Sequence, residues 1–237
     1  MTSAITPLGI ATAVMVAGAL SACGRGSVPA ATPRATTGTT ATARSSATPT
    51  PQPDNLEVAV VGDGLGAYEI TTVPVVVVRN LATTHDAVGV RVHFSVLSPQ
   101  GANLAGADGD IAVIGPGETT AIAARAELRG VGDRVHEDIT VTSWSAASSG
   151  QTLVGRDVAY ECETSSCGGY GTVTGKLSSA TTASTLTLTA VCYDAAGVID
   201  GGNTSTTGGS PGDQQVAEPV IVTNRPARCE LYATPGV

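Results

Sequence analysis

The sequence predicts an all-β protein made of two tandem antiparallel β-sandwiches that follow a disordered linker. Apolar and polar residues alternate over residues 88–96 and again over residues 186–192, which is the pattern of a half-buried strand. Aromatic residues make up only 3% of the chain, and small or β-branched residues dominate it. Such side chains suit strands better than helices.

An internal repeat supports the prediction of two modules. The two alternating runs superpose when the chain is shifted by 96 residues, which pairs Val90 with Leu186. We therefore expect a first sandwich over residues 55–145 and a second over residues 155–237, each built from short strands separated by turns. The predicted strands cover residues 56–61, 73–79, 88–96, 111–114, 119–124 and 139–144 of the first module and residues 171–177, 186–193, 215–222 and 229–233 of the second.

The N-terminus predicts export and a lipid anchor. Residues 8–20 form an apolar run that is shorter than the roughly 20 residues of a membrane-spanning helix and typical of a signal peptide. The run ends at residues 20–23, Leu-Ser-Ala-Cys, which resemble a bacterial lipobox. The resemblance implies that residues 1–22 are removed and that Cys23 receives lipid such as palmitate. Cleavage without lipidation and a buried apolar helix are the alternatives.

The segment over residues 23–54 predicts a disordered spacer behind the anchor. It consists almost entirely of Thr, Ala, Pro, Ser, Gly and Arg, and Val28 is its only large aliphatic residue. Such a segment cannot bury a core.

A motif in the second module resembles a known family. Residues 191–197, Val-Cys-Tyr-Asp-Ala-Ala-Gly, are similar to the Phe-x-Leu-Tyr-Asp signature of FxLYD-type domains. This module has Ala190 and Cys192 at the Phe and Leu positions, whereas the first module keeps Phe94. The resemblance covers most of both modules and implies immunoglobulin-like, extracytoplasmic sandwiches without a shared catalytic activity.

The four cysteines beyond the lipobox all lie in the second module, and an exported protein is expected to pair them. Three connectivities are open. We favour Cys192 with Cys229, because aligning the modules places Cys229 on Ile139, so both cysteines replace inward apolar residues. Cys162 and Cys167 would then close a short loop. A zinc site is the competing interpretation, and the C-x4-C spacing is poor for it.

Charge and motif patterns exclude several classes of function. The formal net charge is −8, and no basic patch predicts nucleic-acid binding. Residues 62–67 match the dinucleotide pattern G-x-G-x-x-A, but strand-like residues and Pro74 follow where a helix is needed, so we predict a glycine-rich interstrand loop and no cofactor. Residues 108–110, Asp-Gly-Asp, lack the rest of a calcium loop and predict a solvated turn without a metal.

The sequence offers no recognisable catalytic centre. Its three histidines, His85, His93 and His136, have no partners at metal-ligand spacing. We therefore predict that the protein is not an enzyme.

Aromatic residues are the remaining candidates for a contact surface. Trp144, Tyr193 and Tyr232 fall on the faces of their strands opposite the predicted core, and Tyr170 lies in a glycine-rich loop. Packing on a neighbouring strand or in the seam between the modules is the alternative.

The combined expectation is a lipid-anchored binding or scaffolding protein on the extracytoplasmic face of the bacterial cell membrane. Its expected partners are the membrane, through the lipid, and an envelope protein or glycan. A structural envelope spacer is the alternative, followed by an envelope hydrolase.

Overall fold

The protein is described by a computed structural model, which covers residues 54–128, 132–148, 152–163, 167–179 and 185–236. All regular elements within these ranges are strands, and the strands form packed sheets, which confirms the predicted all-β sandwich class. Among these residues, no helix has the length and hydropathy needed to span a membrane. The predicted signal peptide, the lipidation of Cys23 and nearly all of the linker lie outside the described residues.

Fourteen strands lie within the described ranges. The first module contains β1 (Val58–Tyr68), β2 (Thr71–Asn80), β3 (His85–Leu97), β4 (Asn103–Ile114), β5 (Thr119–Ala123), β6 (Ala126–Glu127) and β7 (Arg134–Ala146). The second contains β8 (Leu153–Val154), β9 (Arg156–Cys162), β10 (Gly169–Ser179), β11 (Thr185–Tyr193), β12 (Ile199–Gly208), β13 (Gly212–Val222) and β14 (Arg228–Pro235).

The first sandwich packs strands β5, β2 and β1 against the sheet β4-β3-β7, and β6 also pairs with β2. The alternation of β3 turns Val90, Val92, Phe94 and Val96 inward, and all four are fully buried. Apolar side chains from β2, β4, β5 and β7 complete this core.

The second sandwich packs strands β12, β11, β14 and β8 against strands β13, β10 and β9. Its central strand, β11, buries Leu186, Leu188, Ala190 and Cys192. Because β11 lies between β12 and β14 as β3 lies between β4 and β7, the order of strands fits the predicted duplication.

The register of the strands corrects one alignment between the modules. Cys192 lies opposite Cys229 across β11 and β14, and Val96 lies opposite Val135 across β3 and β7. Cys229 therefore corresponds to Val135, and its alignment with Ile139 is wrong. The sequence could not show this, because the connections between equivalent strands differ in length.

A third apolar cluster joins the two sandwiches. Its members are the outer faces of β2 and β5 and residues of the second module that include Tyr193, Ile199, Ile221 and Tyr232. We call this cluster the seam. The backbone N–H of Ala123 also donates to Thr204 Oγ1 across it at 2.8 Å.

The glycines of β1 allow its backbone to approach the second sandwich closely at the seam. Gly64 forms a parallel bridge with Ile199, and a Cβ on Gly64 would lie 2.3 Å from the Ile199 carbonyl oxygen. A Cβ on Gly66 would lie 2.3 Å from the Ile221 carbonyl oxygen. The prediction of an interstrand loop at residues 62–67 is therefore wrong: these glycines lie within a strand, where a missing Cβ permits close backbone approach.

Asp54 attaches the start of the described chain to the first sandwich. Its carboxylate accepts hydrogen bonds from the Thr83 N–H at 2.7 Å, from the Thr84 hydroxyl at 2.6 Å and from His85 Nδ1 at 2.8 Å. These hydrogen bonds lower the pKa of the Asp54 carboxyl well below its usual value, and the bond from the Thr83 backbone contributes most. The end of the predicted linker is thus held at the β2–β3 turn.

Candidate functional site

Both predicted cysteine pairs form disulfides. Cys192 is bonded to Cys229, which joins directly opposed residues of β11 and β14, and the Cys192 side chain is fully buried. Cys162 is bonded to Cys167 at the exposed end of the β9–β10 hairpin. The favoured connectivity is confirmed.

Two of the four candidate contact aromatics are buried, so the prediction that they are exposed is wrong. Tyr193 and Tyr232 are each 8% exposed and belong to the seam, which is the alternative considered for them. A signal for this was present in the sequence: residues 75–78 are four consecutive valines, as in a strand that is buried on both faces. Tyr170 is 40% exposed and packs edge-on against Tyr68, with ring centroids 5.3 Å apart.

Trp144 faces the first core, not solvent. It lies opposite Ala87 and packs half-buried against the core cluster. Ala87 and Val90 both face this core although they are three residues apart, because Gly89 adopts a φ of 62° and reverses the alternation. Val88 therefore falls out of the predicted inward phase and is half-buried.

The polar groups at the seam are paired with one another. Tyr193 and Tyr232 both donate to Glu230 Oε2, at 3.0 and 2.6 Å, and Arg228 bonds to Glu230 and stacks on the Tyr193 ring. Burial and the adjacent Glu230 charge raise the pKa of Tyr193 to about 12. Burial alone would raise the pKa of Glu230, but the tyrosine hydrogen bonds and the Arg228 charge outweigh it, so that pKa lies below its usual value. This network stabilises the seam.

A buried carboxyl group lies inside the second sandwich. Glu218 is 0% exposed, and it accepts hydrogen bonds from Asn203 Nδ2 at 2.7 Å and from the Ser205 hydroxyl. Arg125 of the first sandwich donates to the same Asn203 at 3.2 Å. Burial raises the pKa of Glu218 above its ordinary value, although its two hydrogen bonds oppose the shift.

Replacing Glu218 with glutamine should weaken the dependence of stability on pH. Because the folded pKa of Glu218 is raised, the protonated form favours the fold at acidic pH, and this contribution is lost as pH rises through the folded pKa. Glutamine keeps the size of the side chain and can accept from Asn203 while it donates to Ser205. We expect E218Q to be at least as stable as the parent at neutral pH and to lose the advantage at acidic pH.

The measurement is the free energy of unfolding by denaturant across acidic to neutral pH. The exposed Glu161→Gln variant is the matched control, and its curve should run parallel to that of the parent. Parallel curves for E218Q and the parent would contradict the prediction.

The acidic residues at 108–110 lie in β4 and not in the predicted turn. Asp110 accepts a hydrogen bond from Arg91 Nε at 2.9 Å, and Asp108 lies 2.9 Å from Nδ1 of His93. All four side chains lie on the exposed outer face of the sheet β4-β3-β7. Within the described ranges, no group of three or more His, Cys, Asp or Glu residues is arranged to hold a metal ion.

A groove opens where the first half of β1 meets the β11–β12 turn. Its floor contains Val77 and Tyr193, and its rim carries Arg228. Val61 and Val198 line it from opposite sandwiches and are 55% and 58% exposed. We call it the β1 groove. It is concave, apolar at its base and built from both sandwiches, as ligand sites commonly are.

A pair of carboxyl groups lies beside the β1 groove. Glu137 of β7 occupies an inward position opposite Phe94, and its Oε1 atom is buried without a hydrogen-bond partner. Burial, followed by the charge of Asp63 on β1, raises the pKa of Glu137. Sequence reasoning missed this pair, although a glutamate on the apolar phase of β7 was a visible irregularity. Its counterpart in the second module is Leu231, opposite Ala190.

Comparison with models of protein families, with curated proteins and with solved structures finds no match for this chain.

Proposed function

We propose that this protein is a lipid-anchored binding or scaffolding module on the extracytoplasmic face of a bacterial cell membrane. The observation that carries the proposal is the pairing of all four cysteines of the second sandwich in disulfides. Disulfides persist in oxidising compartments outside the cytoplasm. The lipobox-like residues 20–23 supply the means of attachment.

The packing of the two sandwiches at the seam supports the proposal that they form one binding surface together. The two modules share an apolar interface, in which Val75, Tyr193 and Tyr232 are buried. They are therefore packed against each other and are not independent domains joined only by a linker. A large apolar interface disfavours relative motion of modules. A pair of sandwiches held in this way offers a partner a composite surface such as the β1 groove.

The anchor is tested by the intact mass of the protein extracted from bacterial membranes, before and after reduction. We expect the mass of residues 23–237 plus acyl chains, with a gain of four hydrogens when the two disulfides are reduced. Two or more acyl chains are needed for stable attachment. The Cys23→Ser variant should lose the acyl mass and leave the membrane fraction. An unprocessed wild-type chain, or four free thiols, would overturn the proposal.

A second measurement separates a binding module from a structural spacer, the alternative expected from the sequence. Cross-linking of the anchored protein in intact cells should give a discrete adduct that the Val61→Ser/Val198→Ser double variant loses. The Val154→Ser variant removes a similarly exposed valine, 59% accessible, from β8 and should keep the adduct. A spacer would show no discrete adduct, or one that no surface variant affects.

A further inference from the structure

The first half of β1 is a free strand edge. From Val58 to Asp63, β1 pairs with β2 alone among the described strands, and its other edge meets β12 only at the bridge between Gly64 and Ile199. A free edge presents unpaired backbone N–H and C=O groups to an incoming strand. The register between β1 and β2 shifts at Val61, which leaves that residue without a partner on β2.

One face beside this edge is apolar. Gly62 pairs with Val77, whose side chain belongs to the seam, so this face of β1 continues into the β1 groove. Val61 and Val198, each more than half exposed, project around the groove. An apolar side chain on an added strand would cover them.

An acidic residue borders the groove at this edge, since Asp63 is among the residues that line it. Asp63 pairs with Val76, which faces the core of the first sandwich, and its charge acts on Glu137 of β7. The Glu137 Oε1 atom is buried and has no hydrogen-bond partner. Asp63 is exposed, so an incoming ammonium or guanidinium group can pair with it and offset the repulsion between the Asp63 and Glu137 carboxylates.

We propose that the free edge of β1 binds an extended segment of a partner protein in which apolar residues alternate with Lys or Arg. Successive side chains of a strand point to opposite faces, so one set enters the β1 groove and the other reaches the Asp63–Glu137 pair. The backbone of the segment extends the sheet beyond β1. This inference rests on the proposed function as a binding module and names the chemistry of its partner.

Charge favours such a segment over a second copy of this chain. Two copies joined along β1 would bring their own Asp63 carboxylates to the same edge, and the chain as a whole carries a net charge of −8. Like charges brought together in this way oppose pairing, whereas a basic strand is attracted.

The test measures binding of labelled synthetic peptides to the full-length, detergent-extracted protein by fluorescence anisotropy. The probes are an alternating Val/Lys peptide, an alternating Val/Glu peptide, and a peptide with the first composition whose valines and lysines are grouped in blocks. We expect the alternating Val/Lys peptide to bind at least about tenfold more tightly than either of the others. Equal binding of the blocked and alternating Val/Lys peptides would overturn the proposal, because net charge alone would then explain the affinity.

Variants on each face locate the site. Asp63→Asn/Glu137→Gln and Val61→Ser/Val198→Ser should each weaken binding of the alternating Val/Lys peptide by about tenfold. The matched controls are Asp108→Asn/Asp110→Asn, on the outer face of the other sheet, and Val154→Ser, and both should bind as the parent does. Equal losses in controls and test variants would overturn the assignment to β1. If circular dichroism shows that a test variant does not fold, the proposal is judged by the affinity of the parent for the alternating Val/Lys peptide relative to the other two peptides.

Self-association of the protein and the independence of the two tests complete the experiment. Self-association of the parent that Val61→Ser/Val198→Ser abolishes, measured by sedimentation, would overturn the proposal in favour of a second copy at this edge. The peptide measurement does not depend on lipidation, whereas the intact mass does. Failure of the inferred partner chemistry is therefore distinguishable from failure of the proposed anchor.

Discussion

Replacing Phe94 with alanine is expected to lower the free energy of unfolding by about 3–5 kcal/mol. Phe94 is fully buried at the centre of the first core, and it is the only phenylalanine in the chain. Its neighbours across the strands are Ala107 on β4 and Glu137 on β7, and neither has an apolar side chain large enough to fill the resulting cavity. A loss of this size is a large fraction of the 5–15 kcal/mol that stabilises a typical domain.

The second module suggests a second substitution that should restore part of the stability lost in Phe94→Ala. There, Ala190 lies opposite Leu231, so the small residue on the central strand is compensated by a large one on its neighbour. Phe94→Ala/Glu137→Leu transfers this pair to the first module and should recover part of the loss, as a double-mutant cycle would show. The partly exposed Val60→Ala variant is the control and should change stability by less than about 1 kcal/mol. A cost below 1 kcal/mol for Phe94→Ala in denaturant unfolding would contradict the prediction.

Removing the disulfide between Cys192 and Cys229 is expected to cost about 4 kcal/mol. The bond joins residues separated by 37 positions, and the cost in the chain-entropy model grows with the length of the closed loop. Cys192 is also fully buried, so an alanine there would add a packing loss. Valines occupy the equivalent positions, Val96 and Val135, in the first module. The Cys192→Val/Cys229→Val variant therefore removes the bond while it preserves apolar volume.

The short disulfide provides the comparison. Cys162 and Cys167 are separated by only 5 positions, so the same model assigns their bond a stabilisation of about 2 kcal/mol. We expect Cys162→Ser/Cys167→Ser to shift the denaturant midpoint less than the Cys192→Val/Cys229→Val variant does. An equal or larger shift for the short disulfide would show that loop closure does not govern the contribution of these bonds.

Local pattern predicted the strands that carry the cores. Alternation is regular from Val90 to Val96 in β3 and from Leu186 to Cys192 in β11, and the apolar residues that it turns inward are buried. The opposite face of β11 is buried as well, because it packs in the seam. The same reasoning favoured Cys192 with Cys229, because both residues were placed at inward apolar positions; that inference holds although the counterpart of Cys229 is Val135 and not Ile139. These predictions depend on the period of a single strand, which a sequence displays directly.

The sequence did not predict strands whose own residues favour turns and whose conformation depends on pairing with neighbouring strands. β12 covers Ile199–Gly208 and consists largely of Gly, Asn, Thr and Ser, residues that favour turns. It is a strand because β11 pairs with it along its length and because β1 and β13 pair with its first residues. The glycines of residues 62–67 were misassigned to a loop for the same reason, since the close approach that requires them involves residues far along the chain.

The sequence by itself determined the all-β class and the two central strands with their inward faces, and it favoured the cysteine pairing that the structure contains. Only the tertiary structure decided that the outer faces of β2 and β11 pack on each other, which buried Tyr193 and Tyr232 and turned candidate contact residues into seam residues. It also decided that the charge of Asp63, on the strand with the free edge, acts on Glu137 of β7. The physical reason is that the period of a strand fixes which residues share a face, whereas the neighbour that covers that face is set by packing between distant segments.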